Sequence, residues 1–196
     1  MKKLLLTLFA IVLSAAAAQA QTANNYSPDN NFSLSLLGGW SSHPGLMLGG
    51  VKTGVNDAYN AGARLGYQLN GTPLEGFSID ADYFFNRADY AGSPSTNLNS
   101  SSVMGDLIYH LPTDSQWSFY GGAGLGLVHD NLDGNLHGSS DVLGWQALGG
   151  AEYAFTPSTS LFAEYRYQNA HDADVGGLKN VGNTSNNVSV GVKFKF

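Results

Sequence analysis

Few residues of this chain could do chemistry, because only 12% of its side chains are charged and it contains no cysteine. Arg64, Asp80, Asp82, Asp106, Glu152, Glu164, Arg166, Lys193 and Lys195 all fall on the polar side of segments that alternate in polarity. Opposite charges enclosed on such faces are costly alone and must pair or find water. We expect an interior ion-pair network centred on Arg64 and Arg166 with Glu152 and Glu164. Neutralising Glu164 in it should cost on the order of 1–3 kcal/mol. His110 shares the polar side and reads as a hydrogen-bonded interior residue, not a catalyst.

The other chemical groups sit in polar stretches between these segments. His129, Asp130, Asp133, His137 and Asp141 lie in one, and His171, Asp172 and Asp174 in the next. A metal could be held there only if the side chains converged. Asp130-Asn131-Leu132-Asp133-Gly134 puts leucine where a calcium loop needs an oxygen ligand, so ordinary solvated turn residues are the expectation. Ser42 beside His43 has no evident orienting acid, and no GxSxG elbow occurs. The run Gly121–Gly126 does not open a helix as a nucleotide loop would. Gly122, Gly124 and Gly126 recur every second residue and should share the inner wall, leaving room for long neighbours such as Arg64 or Arg166. Without cysteine there is no disulfide framework, thiolate nucleophile, cysteine zinc site or lipid-anchored mature N-terminus. No catalytic site, cofactor or metal is expected.

The elements that must position the charged residues are strands. Lys2 and Lys3, the apolar run Leu4–Ala18 and Ala18-Gln19-Ala20 read as a secretory signal over residues 1–20, cleaved after Ala20. Removal of the two lysines leaves seven basic against fifteen acidic side chains, a net charge of −8, which argues against nucleic-acid binding. A polar leader, residues 21–30, precedes a single domain over residues 31–196. There, eight segments alternate with period two, which no helix does. Phe32, Leu34 and Leu36 oppose Ser33 and Ser35. Tyr59, Ala61, Ala63, Leu65 and Tyr67 oppose Asn60, Arg64 and Gln68. The last segment sets Val188, Val190, Val192, Phe194 and Phe196 against Ser189, Lys193 and Lys195. Short links at residues 70–75, 112–116 and 156–160 alternate with long polar ones at 41–58, 88–98, 129–141 and 170–185. Short turns at one end and long loops at the other are the layout of an up-and-down barrel that crosses a membrane.

The polar face carries glycine, serine and a few charges, not the dense Lys/Glu cover of a soluble surface, and aromatics gather at strand ends. The apolar face should therefore meet lipid. Eight strands enclose a lumen filled by side chains, so a closed polar interior is expected instead of a wide channel.

Asn60-Ala61-Gly62-Ala63-Arg64-Leu65-Gly66-Tyr67, Tyr120-Gly121-Gly122-Ala123-Gly124-Leu125-Gly126, Glu164-Tyr165-Arg166-Tyr167 and a terminal Phe196 carry a resemblance that spans nearly all the mature chain. It resembles the outer-membrane β-barrel family that includes the transmembrane domain of outer-membrane protein A and the opacity-type surface antigens of Gram-negative bacteria. The resemblance implies an all-β, eight-stranded antiparallel up-and-down barrel with short periplasmic turns and longer extracellular loops. It also implies a surface-antigen, adhesion or envelope-integrity role without an active site. Phe196 resembles the terminal aromatic signal that barrel-assembly machinery recognises. The implied partners are outer-membrane lipid and lipopolysaccharide, that machinery and periplasmic chaperones, and a host or cell-surface ligand at the loops. The peptidoglycan-binding domain of larger relatives is not expected after the eighth strand. The rival readings are a narrow pore and a lipid A-modifying barrel enzyme. In deacylases of the latter kind a histidine is followed two residues on by serine, whereas here Asp172 and Ala173 follow His171.

Overall fold

Period-two alternation leaves every strand with one apolar face, and a sheet of such strands loses its unpaired edges only by closing on itself. The structure, a computed structural model, describes residues 31–42, 46–48, 51–53, 58–89, 97–133, 138–175 and 178–196. Its strands are β1 (Phe32–Ser42), β2 (Leu46–Leu48), β3 (Val51–Thr53), β4 (Ala58–Gln68), β5 (Phe77–Asp89), β6 (Asn97–Leu111), β7 (Trp117–Asp133), β8 (Gly138–Thr156), β9 (Thr159–Val175) and β10 (Leu178–Lys195). Eight of them close a barrel in the order β1-β10-β9-β8-β7-β6-β5-β4, and β2 pairs with β3 in a separate two-stranded sheet. Every neighbouring pair in the barrel is antiparallel.

The register sets the stagger. From Phe32, cross-strand partners run through Tyr67, Ile79, Leu107, Ala123, Ala147, Tyr167 and Asn186 and return to β1 at Ser42, ten residues from the start. A shear of this size over eight strands tilts each by about 40° to the barrel axis. Closure at the short-turn end is made by the chain termini of the barrel: Phe196 N donates to Phe32 O at 2.9 Å and Phe32 N to Phe196 O at 3.3 Å. The first short turn uses two glycines with positive φ, Gly71 (69°) and Gly76 (92°). That turn is fastened by Thr72, whose hydroxyl donates to Leu69 O at 2.7 Å.

Two expectations change. The segment 41–58, read as loop, contains the β2–β3 hairpin, whose three-residue strands are too short to display a period. The long loops are also shorter than the sequence suggests, because β7 and β8 leave only residues 134–137 between them and β9 and β10 only 176–177. Alternation fades once both faces of a strand are wet, while the ladder of backbone hydrogen bonds continues. The expected signal peptide, its cleavage position at Ala20 and the leader lie outside the described residues.

Candidate functional site

The lumen is the place where the sequence concentrates its charge, and its wall is built in an orderly way. Large inward side chains are paired in register with glycines: Phe84 with Gly62, Met104 with Gly126, Asp106 with Gly124 and Ile108 with Gly122, Tyr120 with Gly150, and Phe162 with Gly191. Each large residue lies across its partner. A Cβ placed on Gly62 would stand 2.9 Å from Phe84 Cδ2, one on Gly122 2.9 Å from Ile108 Cγ1, and one on Gly150 2.6 Å from Tyr120 Oη. On Gly124 it would overlap Asp106 Oδ1. The space left by Gly122, Gly124 and Gly126 is thus filled by Ile108, Asp106 and Met104, and not by Arg64 or Arg166 as the sequence suggested. Leu37, Phe84, Ile108, Tyr120, Leu148 and Phe162 form one buried apolar cluster. A second contains Met104, Val128 and Ala170, with Val142 against it. The interior is therefore of mixed polarity, where a polar lumen was expected.

Next to the first cluster lies a four-residue ion-pair ring. Arg64 donates from Nη1 to Glu164 Oε2 (2.8 Å), from Nη2 to Glu164 Oε1 (2.9 Å) and Asp82 Oδ2 (2.9 Å), and from Nε to Asp82 Oδ2 (3.0 Å). Arg166 Nη2 donates to Asp82 Oδ2 at 2.6 Å and to Glu164 Oε1 at 2.8 Å. The Arg64–Glu164 fork is the bidentate geometry that makes guanidinium–carboxylate pairs strong and directional. None of the four side chains is more than 5% exposed. Tyr120 OH donates to Glu164 Oε2 at 3.0 Å, and the Arg166 guanidinium stands 4.1 Å over the Phe84 ring. The ring joins β4, β5 and β9 across the bore.

Glu152 does not belong to this ring. It accepts from Lys193 Nζ at 3.2 Å and faces Lys195 Nζ at 3.6 Å, forming a separate cluster toward the short-turn end. Asp80 and Asp106, also buried, have no ion pair among the described residues. Gln146 Nε2 donates to Asp106 Oδ1 at 2.7 Å. Asp80 lines a cavity with room for about one water molecule, together with Ser35, Arg64, Ile108, His110, Tyr120, Glu152, Phe162 and Lys193. His110 Nε2 lies 3.1 Å from Ser78 Oγ and its ring 5.8 Å from that of Tyr120.

Toward the long-loop end a layer of neutral hydroxyl and amide groups follows, with Asp130 buried beyond it. Ser41 Oγ bonds Asn86 Oδ1 and Asn187 Oδ1, Asn60 Nδ2 donates to Ser41 Oγ at 3.2 Å, and Ser189 Oγ donates to Asn60 Oδ1 at 2.9 Å. Gln168 Nε2 donates to Ser102 Oγ at 2.9 Å. This hydroxyl–amide layer was not singled out from the sequence, although its members hold the polar parity of their strands.

The loop candidates do not gather into a site among the described residues. His129 and Asp141 point outward and pair through Nδ1 and Oδ1 at 2.6 Å, both well exposed. Asp130, the next residue, is buried and faces the other way. A strand alternates its side chains, so the adjacent His129 and Asp130 cannot share an ion. Ser42 is exposed. His43, His137 and the side chains of Asp133, His171, Asp172 and Asp174 lie outside the described residues.

The outer wall carries the apolar face. Leu125 is 73% exposed, Leu143 68% and Val190 62%, and the same belt includes Leu65, Ile79, Val103 and Leu107. So large a continuous apolar surface is not compatible with water. Aromatics edge it: Phe32 with Tyr67 (4.9 Å between centroids), Phe77 with Tyr109 (4.9 Å) and Trp117 with Tyr153 (5.0 Å) at the short-turn end, Trp145 with Tyr167 (5.4 Å) toward the other. Between Phe32 and Trp40 the tilted β1 rises about 20 Å, close to the height of a barrel's lipid-facing band.

The model of the outer membrane protein beta-barrel domain matches residues 5–196. The chain belongs to that family. Outer-membrane barrels keep their short turns in the periplasm and their longer loops outside the cell, so the Glu152–Lys193–Lys195 cluster is on the periplasmic side of this one. Outer membrane protein A of Escherichia coli O157:H7 is 28% identical over 194 residues, 95% of this chain and 53% of that protein, so the chain spans about half the length of this curated relative. Neisserial surface protein A is similar in structure, with a TM-score of 0.64 at 26% identity over 85% of this chain and 97% of the other. Ail, the attachment invasion locus protein of Yersinia pestis, solved with the heparin analogue sucrose octasulfate, shares the fold: TM-score 0.52, 14% identity, 85% and 99% covered. The family and these relatives put the barrel in the Gram-negative outer membrane.

Proposed function

We propose that this barrel is a closed outer-membrane protein whose extracellular loops serve attachment or the integrity of the envelope, and that it has no catalytic role. The observation that carries this reading is the filled bore: apolar side chains folded over glycines, a buried ion-pair ring and a hydroxyl–amide layer follow one another along the lumen. A bore so filled has no through-path for solutes, which leaves the loops as the part that can meet other molecules. The name of the Yersinia pestis relative, an attachment invasion locus protein, points the same way. In this reading residues 1–20 direct export and are removed after Ala20, and periplasmic chaperones and the barrel-assembly machinery deliver the chain, the latter recognising Phe196. The mature barrel then sits among outer-membrane lipid and lipopolysaccharide and takes a host or cell-surface ligand at its loops.

The test is whole-cell attachment to host cells by bacteria carrying the wild type or a variant in which residues 90–96 and 134–137 are replaced by short turns. Gel mobility with and without boiling monitors the folded barrel. Attachment should be lost while the heat-modifiable band persists. Unchanged attachment would overturn the adhesive reading.

A further inference from the structure

We propose that ions are excluded by the apolar septum of Phe84, Ile108, Tyr120, Leu148 and Phe162, and that the buried ion pairs attached to this septum are not the barrier. The inference rests on the closed-barrel reading and says which layer does the closing. Three observations carry it.

First, the water-sized periplasmic cavity ends on the septum. Its polar wall is Ser35, Arg64, Asp80, His110, Glu152 and Lys193, and Ile108, Tyr120 and Phe162 complete its lining. An ion in this cavity stands against Arg64, the one member of the ring that lines it, and otherwise faces the hydrocarbon of Ile108, Tyr120 and Phe162, which cannot replace its hydration shell. An apolar constriction of this kind excludes ions by dewetting, whatever charges lie behind it.

Second, the septum side chains cannot readily swing clear. Phe84, Ile108, Tyr120 and Phe162 each occupy the gap over a glycine on the neighbouring strand, and all are at most 7% exposed. Third, the ion pairs are attached to the septum and do not interrupt it. Tyr120 OH is fastened to Glu164, and the Arg166 guanidinium lies on the face of Phe84. Neutralising one carboxylate removes a charge but leaves the aliphatic stems of Arg64 and Arg166, and the rings against them, filling the bore.

The experiment is single-channel recording of the refolded full chain in planar bilayers, each variant first verified by heat-modifiable gel mobility. The double variant Leu148→Ser with Phe162→Ser should show discrete conductance steps absent from the wild type, whereas Glu164→Gln should stay as silent as the wild type. Should the double variant fail to fold, Phe162→Ala and Leu148→Ala are recorded singly with the same expectation. Steps from Glu164→Gln, or silence from folded septum variants, would overturn the proposal. A steady current from the wild type would instead overturn the closed-barrel reading beneath it.

Discussion

Replacing Glu164 with glutamine should be among the most damaging conservative changes in this barrel. Glu164 accepts from Arg64 at 2.8 and 2.9 Å, from Arg166 at 2.8 Å and from Tyr120 at 3.0 Å, and its side chain is fully buried. A glutamine retains one acceptor oxygen and turns an NH2 toward a guanidinium, so two buried cations are left to share Asp82. Breaking one partner out of a buried ion pair costs about 3–5 kcal/mol, above the 1–3 kcal/mol that the sequence alone suggested. With an m-value of about 2 kcal/mol/M, the urea midpoint in detergent or lipid should fall by about 2 M. The internal standard is Glu152→Gln. Glu152 holds Lys193 at 3.2 Å and Lys195 at 3.6 Å, and the Lys195 side chain is 30% exposed. Glu152 and Lys193 are buried too, but Lys195 can carry its charge into water and only one enclosed cation loses its partner, so that loss should stay at or below the low end of the range, about 3 kcal/mol. Equal losses for the two variants, or a loss below about 1 kcal/mol for Glu164→Gln, would refute the claim that the arginine ring is a tightly coupled buried unit.

Other outcomes follow from the same geometry. Gly150→Ala places a Cβ 2.6 Å from Tyr120 Oη and should lower stability by about 1–3 kcal/mol, while Gly149→Ala, whose Cβ meets nothing nearer than 3.6 Å, should be within about 0.5 kcal/mol of wild type in the same urea titration. Leu125→Arg on the lipid face should cost about 2–4 kcal/mol in liposomes, and no cost would contradict the assignment of that face. Phe196→Ala keeps the backbone bonds to Phe32 but loses the stacked ring at 6.4 Å. It should slow insertion into proteoliposomes that contain the assembly machinery more than it lowers the urea midpoint.

The barrel itself was legible because lipid imposes a strict rule on one face of each strand. In β10, Val188, Val190, Val192 and Phe194 obey it without exception, and their partners on β1 and β9 follow the same parity. What stayed hidden lies on the other face, where the rule is only that the bore be filled. Phe84 stands between Tyr83 and Phe85, Ile108 between Leu107 and Tyr109, and Phe162 between Leu161 and Ala163, so these inward residues vanish into apolar runs. Strict parity counting would have exposed them. The grouping of Glu152 with the arginines failed for a different reason. Glu152 is paired with Phe162 and Glu164 with Gly150, so the two carboxylates on adjacent strands are displaced in register. That register, and the ten-residue shear, cannot be read from periodicity within single strands.

The glycines explain how register is specified at all. A slip of one residue between neighbouring strands would turn polar groups to lipid, and the bilayer forbids it. A slip of two restores every face, so the lipid side cannot tell it from the native pairing. The bore can. An eight-stranded barrel of this shear has a wall radius of only about 8 Å, too little for bulky side chains to stand upright from opposing strands. They must lie flat over a neighbour that has no side chain. Slipping β5 by two against β4 would move Phe84 from Gly62 to Asn60 or Arg64. In one direction, the same slip of β6 against β7 would set Ile108 on Tyr120. Overlap of that kind is far costlier than the loss of a hydrogen bond, because the closed wall has nowhere to relax. Lipid thus selects which face points outward, while the large-over-glycine pairs select which residue stands beside which.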